Sequence, residues 1–311
     1  MPIRQATLDD AAAVAALTTA AQPDGFSTAE AVRHRWTTTP ADAQAATWLE
    51  EEDGALRGWA AARLDTWSKV PGDAEAHVAV HPDHRRRGVG ASLWLAAAAH
   101  LDAIGARRIL AEGLDGTGAV AFATARGFEV TSSTTVLSLD PRTLPAPDPP
   151  PPGIEVRPFT SLDDDLAEVY AVDLATAQDE PGDYDVSAMS FESWHDATLR
   201  NPTFSREASN VVAVEGRFVG VTLAYLDPTS GRAFNGGTGV LREHRGAGLA
   251  LLMKRHALAE LARLGITRVL TQNDDANAPM LRINDRLGYR PFSVRHRLLR
   301  PDPSAARPHR P

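Results

Sequence analysis

The sequence predicts a mixed α/β (α+β) chain in which one plan is laid down twice, and three observations carry that prediction. Arg85-Arg86-Arg87-Gly88-Val89-Gly90 is matched by Arg245-Gly246-Ala247-Gly248-Leu249-Ala250. The two copies stand 160 residues apart, about one domain length. Each follows a β-branched segment and opens a long apolar, helix-forming run, and the segments around each copy recur in the same order.

In order along the chain, Ile3-Arg4 with Thr7 and Asp9-Asp10 corresponds to Val156-Arg157 with Thr160 and Asp163-Asp164. Each reads as a short strand followed by a capped helix start. Ala46 to Leu64 holds two apolar runs around Asp53-Gly54, and Val211 to Leu226 holds two around Glu215-Gly216. Turn-forming residues at the tip make both hairpins. A strand follows, Ala76–Val80 or Thr238–Val240, and then the glycine loop. Helices are predicted from Ala91 to Leu101 and from Leu251 to Leu264, ended by Gly105 and Gly265. Short buried strands come next at Ile109-Leu110 and Val269-Leu270. A last helix stops at Gly127-Phe128 or Gly288-Tyr289, and a last strand follows each. Between the halves, Asp140 to Gly153 is dense in proline, which removes amide donors and favours extended backbone. The expected domains are therefore 1–140 and 154–300, with a stiff linker at 141–153 and a disordered tail at 301–311.

Composition narrows the function. The chain of 311 residues has room for two ordinary cores, with 43% hydrophobic and 23% charged residues. A net charge of −8 argues against a nucleic-acid binder and suits a cationic partner such as an amine. With no cysteine there is no disulfide, thiolate metal site or thiol nucleophile. His77, His81 and His84 straddle a strand and a loop without convergent spacing, so no metal is expected. No apolar run is long enough to span a bilayer and the N-terminus lacks a leader pattern, so the expectation is a cytoplasmic protein with no membrane partner.

A glycine loop between a strand and a helix grips phosphates. Its amides point into open space, absent side chains let the backbone approach, and the helix dipole adds positive potential. A nicotinamide dinucleotide is the lesser alternative, because the full Gly-x-Gly-x-x-Gly fingerprint near a first strand and its acidic ribose ligand are missing.

These motifs resemble the GNAT acetyltransferase superfamily, twice over. The family signature, (Arg/Gln)-x-x-Gly-x-(Gly/Ala) at the start of the central helix, is met by Arg85, Gly88 and Gly90 and by Arg245, Gly248 and Ala250. Asn277-Ala278-Pro279-Met280 and the step to Gly288-Tyr289 resemble the family's second cofactor helix. The resemblance covers the chain except linker and tail, and the two-domain layout is similar to that of mycothiol synthase and other tandem members.

It implies two tandem GNAT domains, each a mixed, mostly antiparallel sheet flanked by helices. It also implies acetyl-CoA, or another acyl-CoA, as co-substrate, with transfer to a small-molecule or peptide amine. The implied cofactor-binding residues are Val78, Val80, Arg85, Arg86, Arg87, Gly88, Val89, Gly90 and Ala91 in the first half. In the second they are Thr238, Val240, Arg245, Gly246, Ala247, Gly248, Leu249, Ala250 and Asn277. The family's frequent tyrosine, seven residues after the helix asparagine, is replaced by Asn284, and in the first half by Ala123. Candidate catalytic residues are Glu75, with His77 beside it, Asn284 and Tyr184. The acidic stretch Asp179-Glu180 and Asp183-Tyr184-Asp185 is the expected acceptor wall. The second half, which alone keeps Asn277, is the expected catalyst. The rival reading is a non-catalytic acyl-CoA sensor in which both sites have lost acid and base.

Overall fold

The computed structural model describes residues 3–179, 186–274 and 277–302. In chain order the elements are β1 (Ile3–Gln5), α1 (Ala11–Ala21), α2 (Ala29–Thr38), β2 (Ala46–Glu52), β3 (Ala55–Leu64), β4 (Asp73–Val80), α3 (Val89–Ala103), β5 (Arg108–Leu114), α4 (Ala119–Thr124) and β6 (Glu129–Leu139). They continue with β7 (Ile154–Pro158), α5 (Leu166–Ala177), α6 (Phe191–Ala197), β8 (Asn210–Val214), β9 (Arg217–Asp227), β10 (Arg232–Val240), α7 (Leu249–Arg263), β11 (Arg268–Asp274), α8 (Ala278–Leu287) and β12 (Arg290–Arg300).

Two compact units result: residues 1–133 with 294–311, and residues 134–293. The chain thus does not divide at 140 and 154 as its proline content suggested. Hydrogen-bond ladders, not composition, set the division. Thr134–Leu139 of β6 pairs antiparallel with β11 in the second unit, and Arg295–Arg300 of β12 pairs antiparallel with β5 in the first. Nor is the proline stretch a free spacer. Leu144 packs on the second unit's core, and Asp148 pairs with Arg255 of α7 at 3.0 Å. Most of the expected tail, 303–311, lies outside the described residues.

In the first unit β1, β2, β3 and β4 pair antiparallel in order, β4 pairs parallel with β5, and β5 with the end of β12. Successive side chains of a strand face opposite sides. Accordingly Trp59 of β3 packs with Val14, Leu17 and Val32 beneath α1 and α2, while Ala60 and Ala62 pack with Leu93, Leu101 and Ile109 beneath α3. The second unit repeats this order from β7 through β8, β9 and β10, with a parallel step to β11 and then the end of β6. Its cores are Phe159, Val169, Trp194 and Phe218 on the α5 side, and Leu258, Leu261, Val269 and Tyr289 on the α7 side. Each sheet is mostly antiparallel with one parallel pair, as the resemblance implied.

Both hairpin tips take the left-handed backbone anticipated for them, at Asp53-Gly54 (φ 52° and 77°) and Glu215-Gly216 (φ 51° and 81°). The central helices end before Gly105 and Gly265, as their C-cap pattern predicts.

Candidate active site

Each glycine loop is built by the same local events. After β4 a short 3-10 turn at Pro82–His84 redirects the chain, and α3 begins at Val89; the counterpart turn, Arg242–His244, precedes α7 at Leu249. The residue before each helix is left-handed, Gly88 at φ 86° and Gly248 at φ 79°, a conformation that costs other L-residues roughly 1–2 kcal/mol. Two residues earlier Arg86 (φ 62°) and Gly246 (φ 81°) are left-handed too. Alternating backbone of this kind turns successive N–H groups toward one point. Among the described residues, no carbonyl or side chain accepts from the amides of Arg86, Arg87, Gly88, Val89 or Gly90. Gly88 and Gly248 are exposed, with nothing within 4 Å of where a Cβ would stand. This is an open cradle for an anion.

The arginines that mark the motif are tied to groups outside the loop, and Arg85 also lines the cavity at the first loop. Arg85 Nε donates to the Val80 carbonyl (3.4 Å) and Nη2 to the Ala21 carbonyl (3.3 Å). Arg245 Nε donates to the Val240 carbonyl (2.9 Å) and Nη2 to Asp179 Oδ2 (2.6 Å). Both side chains lash the loop to the strand before it. Asp179, expected in an acceptor wall, instead holds Arg242 and Arg245 together, and those guanidinium groups keep its carboxyl well below the usual carboxylate range. Val89 and Leu249 turn their side chains into the cores, so only their main chains serve the loop. Arg87, Gly246 and Ala247 are exposed. Glu180, Asp183, Tyr184 and Asp185 lie outside the described residues.

Beside each cradle the sheet opens. β4 and β5 are paired only from Asp73↔Arg108 to Glu75↔Leu110, and β10 and β11 only from Arg232↔Arg268 to Asn235↔Thr271. Beyond those points, among the described residues, the main-chain groups of β4 and β10 that point away from the hairpin have no strand to pair with. A ligand with amide groups can add itself there as an extra strand would.

In the first unit the gap is a cavity of about 460 Å³. The loop end is lined by Arg86, Gly88, Gly90 and Ala91, with Val78 and Val80 along one wall. Gln22, His77, Glu112 and Arg295 line it too. His77 stacks on Trp59 with ring centroids 4.5 Å apart, and its Nε2 is 3.3 Å from Gln22 Nε2. Burial first, then Arg35 and Arg295, pull His77 down to about 4, so the imidazole is neutral near pH 7. Arg295 grips Asp24 with two hydrogen bonds of 2.7 Å and stands 3.6 Å from Glu112. Glu75 does not reach the cavity. It faces Arg63 across the ladder and accepts from Nε and Nη2 at 2.9 and 2.7 Å, so its charge is already compensated.

In the second unit β10 is interrupted. Asn235 pairs with Ala224 and Thr238 with Thr222, so Gly236 and Gly237 together oppose the single residue Leu223. Such a bulge bends the strand where it leaves its parallel neighbour. A Cβ on Gly236 would stand 3.0 Å from the Tyr225 ring, and one on Gly239 would collide with Thr176 of α5. These glycines let α5 and β9 close on the strand. On the opposite side, buried Lys254 of α7 donates to Asn235 Oδ1 (2.5 Å), and Asn235 Nδ2 donates to Thr222 Oγ1 and to the Leu223 carbonyl. Thr238 and Val240 are buried, with Thr238 Oγ1 2.7 Å from Thr222 Oγ1.

The asparagines of α8 have structural partners. Asn277 caps the helix by accepting from the Met280 amide (3.3 Å), and fully buried Asn284 donates to Asn273 Oδ1 of β11 (2.6 Å). Among the described residues no group of three or more His, Asp or Glu side chains is placed to hold a metal, and no helix is long and apolar enough to cross a membrane. Sequence reasoning missed Glu112, Arg295 and Asp173, whose places depend on strands and helices distant in sequence. The one signal available was Gly236-Gly237, since paired glycines inside a strand mark a bulge or a close approach.

Known proteins agree with this architecture. The profile of the acetyltransferase (GNAT) family matches residues 12–128 and again 168–289. The mycothiol acetyltransferase of Saccharomonospora viridis is 30% identical over 242 residues, 73% of this chain and 74% of that protein. The mycothiol acetyltransferase of Salinispora arenicola is 30% identical over 254 residues, 78% and 77% of the two chains. Among solved structures, a tandem GNAT protein from the clavulanic acid biosynthesis pathway superposes with a TM-score of 0.74 at 21% identity, covering 96% of this chain and 97% of its own. A GCN5-related N-acetyltransferase from Sphaerobacter thermophilus does so at 0.68 and 23%, covering 96% and 94%. With the signature loop standing at the same strand-to-helix junction in both units, and the family's profile matched twice, the chain belongs to the GNAT acetyltransferase family as an acyltransferase of tandem construction.

Proposed function

We propose that the protein transfers an acetyl group from acetyl-CoA to a primary amine on a small molecule or peptide, and that the second unit performs the transfer. The observation that carries this reading is the break in β10. There the Gly236-Gly237 bulge, the end of strand pairing at Asn235 and the Arg245–Ala250 loop follow one another along a single strand-to-helix crossing.

The loop amides suit the pyrophosphate of a coenzyme A thioester, and the unpaired edge of Thr238–Val240 suits its amide-bearing arm. Main-chain N–H groups near the bulge are the available donors for the thioester oxygen as charge develops on it. The amine attacks only when neutral, and a lysine-like amine with pKa about 10.4 is mostly protonated at pH 7, so a base belongs in the site. Asn284 gives no hydroxyl to the leaving sulfur, and a thiol's modest pKa of about 8.5 lets it leave as thiolate. The first unit's cavity, which reaches from a complete amide cradle to Glu112 and Arg295, suits a second acyl-CoA. The relatives named as mycothiol acetyltransferases support acetyl transfer as the reaction.

The test is acetyl-CoA turnover with an amine panel, read as free thiol, in the full chain and in Gly248→Glu. Turnover that disappears with Gly248→Glu supports the reading. Turnover lost only with Gly88→Glu assigns the reaction to the first unit.

A further inference from the structure

We propose that Asp173 is the general base of the second unit, taking the proton from the attacking amine beside Gly237 of β10. The inference rests on the second unit being the one that turns over.

Asp173 lies on the stripe of α5 that faces the sheet. Val169, Val172 and Thr176 on that stripe are buried, and Thr176 sits hard against Gly239. One helical turn before Thr176, Asp173 comes to the strand two residues before Gly239. Its Oδ1 is 3.8 Å from where a Cβ on Gly237 would stand. Its Oδ2 accepts from the indole Nε1–H of Trp194 at 2.8 Å. Trp194 is fully buried in α6, packed with Tyr170 and Phe191, so it fixes the carboxylate rather than following it. No other hydrogen bond to Asp173's carboxylate is formed among the described residues, which leaves Oδ1 a vacant acceptor. The residue as a whole is half-buried.

Polar side-chain atoms buried away from water are ordinarily hydrogen-bonded, so an acceptor left unpaired beside a strand edge is available to a ligand. Here one is anchored and the other is aimed at the bulge beside the unpaired edge of β10. Burial pushes the Asp173 carboxyl up to about 6, against the opposing pull of the Trp194 bond. A base near that value is ionised at pH 7 yet strong enough to accept a proton. Tyr225 of β9 is the titratable group beside it; burial raises its phenol well above the ordinary value, so it stays neutral. In the step itself the amine nitrogen bonds to the thioester carbon, its proton passes to Asp173 Oδ1, and the carbon–sulfur bond breaks to release the thiolate. Amide and thiol are the net products.

The experiment uses the full chain with acetyl-CoA and three probe amines: butylamine, glucosamine and alanyl-alanine amide. Asp173→Asn preserves shape and the Trp194 contact. It should lower kcat/KM for the best probe by about 10²–10⁴-fold, the usual contribution of a positioned base. Acetyl-CoA binding by calorimetry should be unchanged. The acidic limb of the wild-type kcat/KM profile, near pH 6, should vanish in the variant. Trp194→Phe, which frees the carboxylate without removing it, should lower kcat and shift that limb. Asp173→Asn within threefold of wild type, while Gly248→Glu abolishes turnover, overturns the role of Asp173 alone. Full turnover in Gly248→Glu overturns the underlying reading with it, as does no turnover on any of the three amines.

Discussion

The two units share an order of elements and differ where chemistry would take place. At corresponding positions, 160 residues apart, the first unit has His77 and the second Gly237, the first Trp94 and the second Lys254. In the first unit β4 runs in unbroken register with β3 from Leu64↔Ala74 to Gly58↔Val80, and the His77 ring lines the cavity and stacks on Trp59. In the second, the bulge at Gly236-Gly237 bends the strand, and Asp173 Oδ1 stands 3.8 Å from where a Cβ on Gly237 would be. The lesson is that one scaffold supports a regular strand or a bulged one beside the same kind of amide cradle. Under the proposed reading, the bulged form carries the transfer.

The sharpest way to break this comparison is at the cradles. Gly248→Glu sets a side chain at φ 79° and a carboxylate in the anion site. It is expected to reduce turnover at least 100-fold, and calorimetry should show two acyl-CoA sites falling to one. Gly88→Glu should remove the other site from the titration. A single site in the wild-type chain would contradict the symmetry of the loops.

Next in size is the ion pair that the first unit depends on. Arg295→Met removes the two-bond partner of Asp24, whose carboxylate is wholly buried. Losing one member of a buried pair costs about 3–5 kcal/mol. A urea titration should show the variant unfolding at a lower midpoint than the wild type.

A smaller effect is expected from Gly237→His, which copies the first unit's residue into the second. The imidazole would fill the space before Asp173, and kcat/KM should fall about tenfold or more with acetyl-CoA binding retained. An active variant would show that this position is not what separates the units.

The smallest effect concerns Lys254. Burial brings its ammonium down to about 7, from an ordinary value near 10.5. Between those values the unfolded chain binds a proton that the folded one lacks, so stability rises with pH through this window. Below about 7 the folded state bears the full cost of a buried charge. From pH 7 to 9, wild type should gain thermal midpoint relative to Lys254→Met, which has no proton to lose. Parallel curves would show Lys254 to be solvated.

Much of this was legible in sequence because it is local. Gly88 and Gly248 mark left-handed positions before helices, and Gly105 and Gly265 mark their ends, whatever the rest of the fold does. The hairpin tips are of the same kind. The site was legible only where it is main chain. The motif announced the cradles, but not that Arg85 and Arg245 lash the loop to its strand. Asn277 was legible as a helix cap and Asn284 as the replacement of a tyrosine, but not the bond from Asn284 to Asn273.

What the sequence determined alone is the duplicated α/β plan, the two amide cradles and the family, since these follow from dihedral preferences and spacing within a few residues. What only the tertiary structure decided is which strands complete each unit and which side chains meet at each gap. Arg295 reaches Asp24, and Asp173 reaches Gly237, across sequence distances that no periodicity encodes. Those meetings are fixed by ladder pairing and helix packing, which depend on the whole chain at once.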